Sequence, residues 1–190
     1  MTLQTDLFGA PPTEPEGFRL VPDLVGAADQ AALVAHFAAL PFAAFEFHGW
    51  LGARRVVSFG RRYDFNRGRL EDAEPLPAFL HPLRAQAAAF AGVPPEAIAH
   101  TLVTEYAPGA GIGWHRDRPQ YDKVIGVSFA APCRLRFRRR TDAGWMRRHA
   151  DLAPGSAYLL DGPARWDWQH GIAPLTALRY SVTFRTLRRS

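Results

Sequence analysis

Cysteine is almost missing from this chain: Cys133 stands alone among 190 residues. One thiol permits no internal disulfide and no cluster of thiolate zinc ligands, and it predicts a reducing, cytoplasmic setting. Long apolar runs are missing as well. No stretch approaches the roughly 18 residues needed to cross a bilayer. The N-terminus shows no basic region followed by a hydrophobic stretch, so neither a membrane span nor export is expected. Lysine is nearly absent too: Lys123 is the only one, and the rest of the 23 basic residues are arginine. With alanine abundant, a net charge of +5 can reflect GC-rich coding alone, so the placement of the arginines says more than their total. What is present is ordinary for one compact domain: 190 residues and 47% hydrophobic content suit a single core.

Residues 1–17, with Pro11, Pro12 and Pro15 among scattered acids, read as a mobile tail ahead of one domain over 18–190. Residues 28–40 place Leu33, Phe37 and Leu40 at helical spacing. A second helix is predicted from about Leu76 to Ala91, with Gly92 as its stop. Strand-like segments follow the first helix and dominate the rest: Arg54–Phe59, Thr101–Tyr106, Val124–Phe129, Arg134–Arg138, Ser156–Leu160, Trp166–His170 and Leu178–Arg185, punctuated by Pro- and Gly-rich turns. Many short strands with two helices predict an α+β, mainly β fold. The expected form is a double-stranded β-helix, or jelly roll, of two sheets, with N-terminal helices buttressing one of them.

Five residues carry the chemistry: His115, Asp117, His170, Arg179 and Arg185. Two imidazoles and one carboxylate leave coordination positions open, a set suited to non-haem Fe(II) that must also bind a cosubstrate and O2. His115 and Asp117 share a face if their segment is a strand. In Arg179–Arg185, parity puts Arg179, Ser181, Thr183 and Arg185 on one face and Tyr180, Val182 and Phe184 on the other. A polar row bracketed by two guanidiniums is poor core material but a good lining for a dicarboxylate, since each Arg can fork onto a carboxylate. His-x-Asp alone is a common coincidence, and an arginine row alone could be a solvated strand face. Their joint order points to an oxygenase that uses 2-oxoglutarate.

The motifs Tyr106-Ala107-Pro108-Gly109-Ala110-Gly111, Trp114-His115-Arg116-Asp117, His170-Gly171-Ile172 and Arg179–Arg185 resemble the AlkB family of Fe(II)/2-oxoglutarate dioxygenases over roughly residues 100–188. The resemblance implies oxidative dealkylation of N-alkylated bases in DNA or RNA, with 2-oxoglutarate and O2 consumed, succinate and CO2 formed, and the alkyl carbon lost as an aldehyde. It implies His115, Asp117 and His170 as iron ligands. Arg179 and Tyr106 would hold the far carboxylate of 2-oxoglutarate, and Arg185 would lie nearer the metal. Two departures keep short polar side chains beside the cosubstrate: Thr104, two before Tyr106, and Ser181, where the family often has Asn. The third is Pro119, at the position of an acid that recognises the damaged base in DNA-repairing members.

Other segments bear on substrate. Phe59–Arg69 falls where the resemblance places a substrate-covering lid, taken as about residues 54–69. Arg61, Tyr63 and Phe65 could bind phosphates and stack bases there, or the aromatic pair could face the core. Arg134, Arg136 and Arg138 share a strand face that is either a solvated exterior or a phosphate-tracking surface. Gln4-Thr5-Asp6-Leu7-Phe8 resembles the peptide by which bacterial proteins dock on the sliding clamp, with Leu7 and Phe8 alternatively packing on their own domain. Three function classes follow: a nucleic-acid dealkylase, best with a single strand; the same chemistry on a protein side chain; and a non-catalytic nucleic-acid-binding module.

Overall fold

The computed structural model describes residues 14–47, 50–64 and 69–188. Three helices are present among them: α1 (Ala27–Ala38), α2 (His81–Ala91) and the short α3 (Gly162–Trp166). Both long helices fall where the apolar spacing puts them. α2 is preceded by a 3-10 turn over Ala78–Leu80 and ends at Gly92 with φ of 67°, the left-handed conformation that glycine accepts without cost from a Cβ.

Eight strands form the larger sheet: β1 (Phe18–Val21), β2 (Ala43–Phe47), β3 (Trp50–Asp64), β4 (Arg69–Asp72), β5 (Ile98–Tyr106), β7 (Tyr121–Phe129), β10 (Ala157–Leu160) and β12 (Arg179–Leu187). Their order is β1-β10-β7-β12-β5-β3-β2, with β4 paired to β3 beyond it. Four strands form the smaller sheet in the order β6-β11-β8-β9: β6 (Ile112–His115), β8 (Cys133–Thr141), β9 (Gly144–Leu152) and β11 (Gln169–Ile172). All the named strand pairs are antiparallel. The expected two-sheet jelly roll is the observed fold.

Two cores follow from strand parity. On one face of the larger sheet, Val103, Ile125, Val127, Phe129, Tyr180, Val182 and Phe184 meet Leu33 and Phe37 of α1 and Leu83, Ala87 and Ala88 of α2. Phe37 packs edge-on to Phe129, with ring centroids 5.2 Å apart, so the helices buttress this sheet as predicted. Between the sheets, Leu135, Phe137, Ala150, Leu152, Val124, Leu160 and Ile172 close one end of the sandwich. At the other end the same inner faces turn polar, and the sheets splay into a cleft.

One expectation needs correction, and two other segments are located more closely. The segment Trp166–His170 is not one strand: Trp166 ends α3, started by Pro163 and the N-cap Asp161, and extended backbone resumes only at Gln169. Proline in a first turn and an Asp cap outweighed the strand-like character of this segment. Within the 54–69 segment expected to cover the substrate, Arg55–Gly60 pairs with β5 and Arg61–Asp64 with β4. Finally, the end of the expected tail is anchored. Phe18 donates to the Pro15 carbonyl, Ala164 to that of Glu16 and Asp161 to that of Gly17, so chain order begins before residue 18.

Candidate metal centre and cosubstrate pocket

A cleft of about 1380 Å³ opens between the sheets, and both sheets contribute chemistry to it. From the smaller sheet come His115, at the end of β6, and His170, paired with it across β11. Asp117 follows two residues after His115. One donor atom from each of the three lies within 4.8 Å of the others, close enough for a single ion to draw them together. Their approach depends on backbone contact: a Cβ on Gly111 would meet the Ile172 carbonyl at 2.7 Å, and one on Gly171 would meet the Ile112 carbonyl at 2.9 Å. Only paired glycines let β6 and β11 close to this distance.

The ligand set is held in the state a cation needs. His115 Nδ1 lies 2.9 Å from the Gly113 carbonyl, which makes it the donor nitrogen and leaves Nε2 as the lone-pair ligand. Burial lowers the pKa of His115 and pushes that of His170 down to about 3, helped by the neighbouring His115. Both rings are therefore neutral at pH 7. Burial pushes the Asp117 carboxyl upward, but Arg185, His170, His115 and Arg165 together outweigh it and hold it well below the usual carboxylate range. Asp117 Oδ1 accepts from Arg185 Nε at 2.6 Å, and Oδ2 lies 3.5 Å from His170 Nε2. Two neutral imidazoles and a fixed anion match the donor set that a two-histidine, one-carboxylate iron site needs.

From the larger sheet comes the row predicted on β12. Arg179, Ser181, Thr183 and Arg185 line the cleft with Tyr106 and Thr104 of β5, and register joins Arg179 to Tyr106 and Ser181 to Thr104. Arg179 is 1% exposed. Its Nε donates to Ser128 Oγ at 3.1 Å, while its buried Nη1 has no hydrogen-bond partner among the described residues. A buried guanidinium donor facing a cavity fits a carboxylate, because leaving it unpaired costs free energy that an anion restores. Arg185 is different. It donates to Asp117, and its Nη1 lies 3.2 Å from His100 Nδ1. Its Nε orients the acidic residue and its Nη1 reaches His100, so Nη2 is the nitrogen left to meet the dicarboxylate expected there.

Three residues of this site went unmarked in the sequence. His100, set aside as an ordinary histidine, is 5% exposed, stacks on Tyr121 and faces the cleft. Strand parity with Thr104 and Tyr106 was the available signal. Arg165, buried in α3, donates to the carbonyls of Arg118, Tyr121 and Asp122 and so clamps the loop after Asp117. No local pattern marks that role, because its partners lie more than 40 residues away in sequence. Arg54 of β3 is the third.

The predicted substrate residues fare unevenly. Arg136 and Arg138 lie on the outer face of the smaller sheet, over Trp114 at 5.0 and 4.7 Å. Arg134 forks onto Asp151 at 2.7 and 2.9 Å, so its charge is locally matched. Arg61 lies 3.6 Å from Asp72 at the exposed rim. Tyr63 belongs to β3 by its backbone, its side chain lies outside the described part, and Phe65 lies outside the described residues altogether. So does the Gln4–Phe8 segment.

The sequence pattern of the 2OG-Fe(II) oxygenase superfamily matches residues 27–185. The chain belongs to that superfamily. Like its other members, this oxygenase uses Fe(II) and 2-oxoglutarate with O2, and the ligand set and the unpartnered Arg179 fit both groups. The AlkB resemblance read from the motifs is borne out. The oxygenase is 27% identical over 182 residues to "Alkylated DNA repair protein ALKBH8 homolog" of Arabidopsis thaliana, covering 82% of this chain and 50% of that protein. It is 30% identical over 126 residues to "Alpha-ketoglutarate-dependent dioxygenase AlkB" of Escherichia coli K12, covering 58% of this chain and 55% of that protein. The chain thus spans about half the length of the curated relatives it matches. In fold it is similar to OsALKBH1, with a TM-score of 0.69 at 16% identity, covering 90% of this chain and 96% of that one. A prolyl-4-hydroxylase of Pseudomonas putida follows, with a TM-score of 0.63 at 14% identity, covering 90% and 93%. Among the described residues no helix is long and apolar enough to cross a membrane.

Proposed function

We propose that this oxygenase removes N-alkyl groups from bases in single-stranded nucleic acid, with His115, Asp117 and His170 as the iron ligands and Arg179 with Tyr106 on the far carboxylate of 2-oxoglutarate. The observation that carries the site assignment is the unpartnered Nη1 of the buried Arg179, on the cleft wall across from the His-Asp-His cluster. Nucleic acid as the target is supported by the arginine-rich outer face of the smaller sheet, where Arg138 sits between the rings of Trp114 and Trp145 at 4.7 and 4.4 Å. Guanidiniums interleaved with indoles match the phosphates and bases of a single strand. The named activities of the curated relatives agree with it.

The chain's own residues then act as follows. Asp117, anionic at every physiological pH, contributes the charged ligand, and Arg185 fixes its orientation. His115 and His170 donate neutral lone pairs. Arg179 pairs with one end of the cosubstrate, with Tyr106 beside it and Ser128 fixing the guanidinium. Iron with 2-oxoglutarate and O2, when bound, supplies the oxidation. In net terms an N-methyl group gains one oxygen while 2-oxoglutarate and the second oxygen become succinate and CO2. The N-hydroxymethyl product then loses formaldehyde and restores the N–H. Solvent exclusion around the metal comes from the sheet walls, with Leu135, Val124 and Ile172 among the apolar lining. The lone, buried thiol of Cys133 suits a reducing, cytoplasmic location, where Fe(II) is readily kept reduced.

A turnover screen over methylated DNA, methylated RNA and methylated peptides tests this reading. Formaldehyde release matched to succinate from a nucleic-acid strand is expected, and matched release from peptides alone would transfer the activity to a protein side chain. Binding of a labelled single strand should weaken steeply as salt rises, because phosphate contacts release counterions.

A further inference from the structure

Arg54 is a cation of the cleft lining that belongs neither to the metal-ligand cluster nor to the polar row of β12. Arg54 lines the cleft with Val56 and Ser58, while Arg55 turns to the opposite face and donates to Glu105 at 2.8 Å. Val56 pairs with Thr104, so Arg54 lies one step further along, level with Tyr106 and Arg179 in the next row. Its guanidinium carbon lies 3.8 Å from the centroid of Phe45, and it makes no hydrogen bond to another described residue. It shares the cleft lining with His115 and Asp117; burial lowers its pKa, and an arginine stays protonated all the same. Stacking on Phe45 holds the plane of the group and leaves its N–H edge free to donate.

Among the described residues, no carboxylate inside the cleft is left to offer the complementary acceptor. Pro119 carries neither charge nor acceptor, and Asp117 is engaged by Arg185 and His170. The other acids of the cleft lining, Asp72 and Glu74, are exposed at its rim. A base entering this cleft therefore meets a fixed positive donor where selection of a positive base would need an acceptor. Adenine methylated at N1 and cytosine methylated at N3 are cations whose exocyclic amino groups donate. Thymine and uracil methylated at N3 stay neutral and present carbonyl oxygens, which accept. Arg54 repels the first pair and can donate to the second.

Building on the dealkylase reading above, we propose that Arg54, held on the face of Phe45, is a specificity-determining residue that selects a neutral N-methylated oxo base, such as 3-methylthymine or 3-methyluracil, by donating to its carbonyl oxygen. The preference among lesions is then strong and inverted, where the absence of an acid at Pro119 alone would give a weak one.

The test compares kcat/KM for short single strands carrying 3-methylthymine, 3-methyluracil, 1-methyladenine or 3-methylcytosine, in the wild type, Arg54→Ala and Arg54→Glu. A hydrogen bond from a charged donor corresponds to a factor of about 10 to 100. The wild type should favour the oxo bases by about that factor, Arg54→Ala should remove the preference, and Arg54→Glu should reverse it. The ratio within one preparation is independent of the active fraction, so a partly misfolded variant still reports, and the wild-type ratio alone decides if a variant fails to fold. Wild-type preference for 1-methyladenine or 3-methylcytosine overturns the proposal and leaves the dealkylase reading standing. An equal loss on all four bases in Arg54→Ala also overturns it, since that is a structural effect. No demethylation of any strand, with succinate still formed, overturns the nucleic-acid reading and this proposal together.

Discussion

Arg179 and Arg185 stand on one face of one strand, six residues apart, and do opposite things. At a strand rise of about 3.3 Å per residue their Cα atoms are roughly 20 Å apart, so their side chains meet different neighbours. Arg179 is buried beside a serine hydroxyl and a tyrosine ring, with Nη1 unpartnered. Arg185 is buried between Asp117 and His100. One holds a buried donor that a ligand would complete; the other is committed through Nε to orienting Asp117. Residue type and strand parity are the same, so neighbours from other strands alone make the difference.

The sharpest way to break this contrast is to remove what distinguishes Arg185. Asp117→Ala should abolish succinate formation, because it removes the anionic metal ligand. It should also destabilise the metal-free protein by about 3–5 kcal/mol, since it leaves the Arg185 guanidinium buried without its carboxylate. Succinate assays and thermal melts of the apo-protein read the two effects separately. Unchanged turnover would reassign the metal site.

Next in size are the two arginines themselves. Arg179→Met should raise the apparent KM for 2-oxoglutarate by a factor of about 10 to 100 while iron affinity holds, as expected for loss of a charged hydrogen bond to the cosubstrate. Arg185→Met should do the reverse, lowering iron affinity by about 10 to 100-fold through loss of the contact that orients Asp117. Iron titrations and cosubstrate saturation curves on both variants check this. Equal effects of both variants on both quantities would erase the distinction drawn here.

A smaller effect concerns pH. His100, His115 and His170 all have pKa values lowered first of all by burial. Each binds a proton more readily unfolded, near 6.5, than folded. Stability of the metal-free protein is therefore highest above that value and falls as pH drops through 6.5 toward about 3, the folded value for His170. Melting temperature between pH 7.5 and 5 should decline, and His100→Gln should make that decline shallower. The smallest effect expected is that of Arg134→Gln on nucleic-acid binding. Its charge is already matched by Asp151, so single-strand affinity should change by less than for Arg136→Gln or Arg138→Gln in the same salt series.

Much of this was written locally. Helical spacing of Leu33 and Phe37, the stop at Gly92, and the alternation of Arg179–Arg185 are consequences of side-chain period and backbone freedom, and these are properties of short segments. The motif order around His115, Asp117 and His170 likewise announced the metal chemistry and the superfamily. What could not be read is what depends on distant partners. Trp166 lost its strand to a capped, proline-started turn. His100 became part of the centre because β5 lies beside β12, and Arg165 because α3 folds under the Asp117 loop. Arg134 was neutralised by Asp151 across a hairpin. A sequence states which groups are available and which face they share; only the tertiary structure decides which buried donor meets a partner and which is left to bind one. That decision is made by burial, which makes an unpaired charge costly and so turns the neighbour of each arginine into its function.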